Sequence, residues 1–126
     1  MFLKGYNIGV LPAATDLSDY RFAAVNYTKT GYALATAGGL SDGVLQNNPE
    51  QGAVCDVMIT GIAKMIASAA ITAGNYVKVS TNGQIAQAGE GDTAIGKAIE
   101  SANEAGDIIG VYLIPNGYAI PKPPPS

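Results

Sequence analysis

The sequence contains no histidine and no tryptophan, and it has one cysteine. Without histidine there is no Ser-His-Asp or Cys-His catalytic site, no imidazole proton shuttle and no His-ligated metal. The lone Cys55 allows neither an intramolecular disulfide nor a Cys-based zinc site. Charge is scarce too: charged residues make up 13% of the chain, against ~25% in an ordinary soluble domain. Seven Lys and Arg stand against ten Asp and Glu, so an electrostatic grip on nucleic acid is not expected. No apolar run approaches the ~20 residues of a membrane span. The opening stretch is broken by Lys4, Gly5 and Asn7 before a signal-peptide apolar region can form. These absences predict a protein made in the cytoplasm, with no cofactor, no bound metal and no membrane or nucleic-acid partner, and not an enzyme.

What is present points to a β-rich globular domain. The 126 residues are 48% apolar, enough for one domain with one core. Sixteen glycines and seven prolines divide that material into many short segments. Residues 1–16 show no clear period and read as an extended N-terminal arm. Its apolar anchors include Tyr6, Ile8, Val10 and Leu11, followed by Pro12. An arm this apolar is expected to pack on its own domain or lie on a partner. Residues 17–114 are expected to form the domain, and 115–126, with five prolines, a polyproline-like tail.

Within 17–114 the alternation of Asp19–Tyr27, a turn at Thr28–Gly31 and a return over Tyr32–Thr36 predict a strand pair. A short strand is expected at Val44–Gln46 and a longer one over 53–60, with Gly61 marking a bulge or sharp bend. Residues 62–67 fit a strand, although Ile62, Met65, Ile66 and Ala69 also have helical spacing. The strongest local signal is the hairpin Tyr76–Thr81, Asn82-Gly83, Gln84–Gln87, since Asn-Gly suits a type I′ turn. Strands at 93–100 and 108–114 complete an all-β domain, a small sandwich or barrel.

Few residues offer chemistry. Asp16 with Asp19, Glu90 with Asp92, and Glu104 with Asp107 pair carboxylates that can serve as acid and base or ligate calcium. Each pair sits in a loop of the kind that carboxylates solvate or cap, and that reading is preferred. Cys55 lies in an apolar stretch and reads as a core residue. Seven tyrosines combine apolar area with a hydrogen-bonding tip, which suits core edges and also interfaces or ligand platforms.

From Val44 onward the order of motifs resembles the capsid decoration, or cement, proteins of tailed bacteriophages. The carriers are Met58-Ile59-Thr60-Gly61-Ile62-Ala63, Ile71-Thr72-Ala73-Gly74-Asn75-Tyr76-Val77, Ile95-Gly96-Lys97-Ala98 and Gly106-Asp107-Ile108-Ile109-Gly110-Val111-Tyr112-Leu113. Asn75 stands where the family pattern has Asp. The resemblance covers residues 40–114 and rests on structural glycines and strand positions. It implies a β-rich homotrimer on the outside of a virion. There it would bind the major capsid protein lattice and stabilise joints between capsomers, with Tyr6, Ile8, Val10, Leu11 and Pro12 contacting the partner. The rivals are a head-fibre or tail-associated β-module, a small glycan-binding domain that uses its tyrosines and, last, an enzyme.

Overall fold

Short β-forming runs separated by glycine turns fold as strands, and the computed structural model describes residues 11–122. The strands among these residues are β1 (Ala24–Thr28), β2 (Gly31–Leu34), β3 (Gly43–Leu45), β4 (Val57–Met58), β5 (Ile62–Ile66), β6 (Tyr76–Val79), β7 (Ile85–Gln87), β8 (Thr93–Ala98) and β9 (Ile108–Ala119). They form two antiparallel sheets, ordered β2-β1-β3-β4 and β5-β9-β8-β6-β7. The fold is all-β.

Each sheet curls until its edges meet. In the first, residues 11–14 supply the missing stave. Tyr32 N–H donates to the Pro12 carbonyl at 2.8 Å, and Ala14 N–H donates to the Tyr32 carbonyl at 2.8 Å. On the other flank, Ala13 N–H reaches the Ala53 carbonyl and Cys55 N–H the Leu11 carbonyl, both at 2.9 Å. The strap thus lies between β2 and the segment leading into β4, and both of its edges are paired. The interior is filled by Ala13, Leu17, Val25, Tyr32, Leu45 and Cys55. Gly31 permits the strap's approach: its φ is +130°, and a Cβ there would collide with the Pro12 carbonyl.

The second sheet closes through Ala67, just past β5, which forms a parallel bridge to Ile85 of β7. Ser68 N–H donates to the Ile85 carbonyl at 2.8 Å. Met65, Val77, Val79, Ile85 and Val111 fill its interior. Ala24 and Val44, on the outer wall of the first barrel, join that same cluster, with Met58 packed against it. One apolar wall therefore belongs to both barrels.

Some expectations are met and others need correction. The strand expected from Asp19 begins only at Ala24. Phe22 has φ +70°, and the Arg21 guanidinium lies 4.7 Å from the centre of its aromatic ring. The stretch 53–60 pairs as a strand of this sheet only at Val57–Met58, because Val54 and Cys55 are bonded to the strap instead. Residues 62–66 are a strand and not a helix. The Asn82-Gly83 hairpin forms, and both residues have positive φ, as a type I′ turn requires. Gln84 N–H donates to the Thr81 carbonyl across it at 3.1 Å. The arm boundary at 16 does not separate residues 11–16 from the domain, since Ala13 lies in its core. The boundary at 114 falls inside β9, which continues to Ala119. Pro115 lacks only an N–H, and the residues after it regain the ladder: Tyr118 pairs with Ala94 and Ala119 with Thr93.

Candidate functional site

The β8–β9 ladder is interrupted where the barrels meet. Ala94 pairs with Tyr118 and Gly96 with Leu113, so Ile95 alone stands opposite residues 114–117. The surplus residues bulge outward. Asn116 and Gly117 make the bend with φ of +67° and +72°. At Gly117 a Cβ would come within 2.5 Å of the Leu40 side chain, so the bulge rests directly on the loop before β3.

Between that bulge and that loop lies a cleft of about 340 Å³. Its walls include Tyr27, Leu40 and Asp42 of the first barrel, Ile59 of the connector between β4 and β5, and Leu113 and Pro115 of β9. The β3 loop holds itself rigidly. Asp42 N–H is shared between the Asn26 side-chain oxygen at 2.9 Å and the Val25 carbonyl at 3.0 Å. Asp42 Oδ2 accepts the Tyr27 N–H at 2.8 Å, and Ser41 Oγ donates to the Gly43 carbonyl at 2.8 Å. The Tyr27 and Tyr32 rings lie 6.0 Å apart and are tilted by 58°. Tyr27 is 40% exposed at the mouth, whereas Tyr32 is buried. Burial, reinforced by the Asp42 charge, pushes the Tyr32 phenol up to about 12.

A second feature lies on the outside of the larger sheet. Ile62 is opposite Tyr112, Tyr112 opposite Lys97, and Lys97 opposite Tyr76, which gives one row across four strands. Ile62 and Tyr112 are each 56% exposed. Tyr76 packs against Tyr118, with ring centroids 5.2 Å apart. Such a row is contact surface of the kind proteins cover with a partner.

The residues singled out from the sequence are dispersed. Tyr6, Ile8 and Val10 lie outside the described residues. Leu11 packs partly buried against the first core, and Pro12 bridges Val54 within the strap. One carboxylate of each acidic pair accepts a backbone N–H of its own loop. Asp16 accepts the Ser18 N–H at 3.0 Å, and hydrogen bonds to Ser18 hold its carboxyl below the usual range. Asp107 takes the Asn103 N–H at 2.8 Å. Asp92 accepts the Gly89 N–H at 2.8 Å and pairs with Lys78 Nζ at 3.2 Å. The Gly89 bond is the main reason its carboxyl is lowered, with Lys78 second. Cys55 is buried, which pushes its thiol up. Among the described residues no three Cys, Asp or Glu side chains converge to hold a metal, and no helix is long and apolar enough to cross a membrane. Sequence reasoning missed the cleft. Its signal in the sequence is Pro115-Asn116-Gly117, a turn tripeptide that falls within the expected tail.

No family model matches this chain, and no curated protein matches it. Among solved structures, the chain is similar to the head fibre gp8.5 N base of bacteriophage phi29. The TM-score is 0.67 over 82% of this chain and 89% of that one, at 19% sequence identity. At that identity the likeness is one of fold.

Proposed function

We propose that this protein is a non-enzymatic structural component of a phage virion that binds the outer surface of the capsid and stabilises joints between capsomers. The observation that carries this reading is the fold shared with the phi29 head-fibre base along most of both chains. The resemblance of residues 40–114 to decoration proteins supports it independently. The exposed row Ile62, Tyr112, Lys97 and Tyr76 supplies contact surface for a capsid subunit or for a second copy of the chain. A protein of this kind acts by adding buried area across a joint, and a homotrimer multiplies weak contacts into avidity.

The shared fold favours a second reading equally: the base on which a head fibre is mounted. Co-sedimentation with expanded phage capsids tests the common claim. The protein should pellet with assembled lattice and not with free capsid subunits, and Tyr112→Ala should weaken pelleting severalfold. Capsid heat stability then separates the two roles. A cement raises the temperature at which capsids open, whereas a fibre base binds without raising it. Failure to pellet with any phage capsid would overturn both.

A further inference from the structure

We infer that the cleft between the two barrels receives a lysine or arginine side chain presented by a partner protein. The inference goes beyond the capsid reading and does not depend on the partner being a capsid subunit. Leu40, Ile59, Leu113 and Pro115 are among the apolar residues that wall the cleft, and they suit the aliphatic stem of a long cationic side chain. Asp42 supplies the charge. Its Oδ2 is fixed by the Tyr27 N–H, and the carboxylate retains acceptor capacity beyond that bond. Among the described residues no Lys or Arg lines the cleft, and the ion pair formed is Lys78–Asp92, elsewhere. The half-exposed Tyr27, which lines the same cleft as Asp42, offers a ring face for a cation.

Size and polarity favour this occupant over a sugar. About 340 Å³ lies at the low end of the ~300–1,000 Å³ range of ligand sites, and it accommodates one side chain. A saccharide needs several convergent polar groups, but the hydroxyl of Ser41 is spent on the Gly43 carbonyl and most of the lining is apolar. The rim favours a protein over a free amine. Tyr27, Leu40 and Ile59 are each at least 40% exposed around the mouth, and a partner's backbone would cover them as its side chain enters.

The full chain is titrated with Nα-acetyl-lysine-N-methylamide, its arginine counterpart and the uncharged norleucine counterpart, followed by amide chemical shifts. The cationic probes should shift Tyr27, Asp42 and Asn116 saturably and bind roughly threefold more tightly than norleucine, as befits an exposed ion pair. Asp42→Asn retains an acceptor for the Tyr27 N–H, so the loop stays folded. It should erase the preference for the cations and leave norleucine binding unchanged. Equal binding of all three probes, indifference to Asp42→Asn, or no saturable shift with either cation would each overturn the inference. So would saturation by methyl glucoside alone. An affinity that rises in Lys4→Ala would assign the cleft to the chain's own N-terminus and overturn the partner assignment. None of these outcomes bears on capsid co-sedimentation, so the two claims fail separately.

Discussion

Single residues decide where the chain can close on itself. Gly31 combines a φ of +130° with a backbone contact that leaves no room for a methyl group, because the Pro12 carbonyl occupies that space. Gly31→Ala should therefore lose at least about 2 kcal/mol, read as a lowered midpoint in urea unfolding. Tyr32, on the next position, is buried as a neutral phenol. The unfolded chain ionises it near 10.0, whereas the folded state holds its proton to about 12. Its contribution to stability is thus fully present below pH 10 and is lost as pH rises through the folded value. Absorbance titration of tyrosinate in the folded protein should show one phenol that keeps its proton well above pH 10. In Tyr32→Phe the onset of alkaline unfolding should move to higher pH. Absence of any phenol that holds its proton well above pH 10 would contradict this account.

At the scale of elements, hydrophobic alternation and turn chemistry were legible and closure was not. The Asn82-Gly83 hairpin, the strands around Gly96 and Gly110, and β5 all follow from patterns within ten residues. The strap does not, because residues 11–14 are ordered by carbonyls and amides at positions 32, 53 and 55, which no local period announces. The cleft was unreadable for the same reason: Pro115-Asn116-Gly117 signals a turn, but only pairing with Ala94 and Thr93 shows that the strand resumes beyond it. Two truncations test the strap. Removal of residues 1–10 leaves the stave in place and should preserve the cooperative transition. Removal of residues 1–16 strips the acceptors of Tyr32 and Cys55 and should abolish the near-ultraviolet tyrosine signature of the first barrel. Deletion of 115–117 is the matching test of the bulge. It takes out the surplus residues, so the β8–β9 ladder should run unbroken. The protein should stay folded while the lysine-type probe loses saturable binding.

At the scale of the whole molecule, the described residues form two barrels that share one wall. Ala24 and Val44 belong to β1 and β3 of the first barrel, yet their side chains complete the core of the second. Neither barrel is expected to melt alone, because losing one would bare the apolar wall of the other. Calorimetry should show one transition whose calorimetric and van't Hoff enthalpies agree. Val44→Asp, which places a charge in the shared wall, should unfold both barrels together. Two resolved transitions would contradict the shared-wall account. This rigidity suits a protein proposed to act by contact alone, since its exposed row and its cleft are set by the backbone before any partner arrives.

The strap's place in the chain also sets an expected order of events during synthesis. Every stave of the first barrel lies before residue 59, and every stave of the second after it. A ribosome that has released the connector has already exposed everything the first barrel needs. At that moment Ala24, Ala35 and Val44 still face water. The C-terminal half then emerges as a built-in chaperone, covering a greasy flank that its own N-terminal half has left waiting.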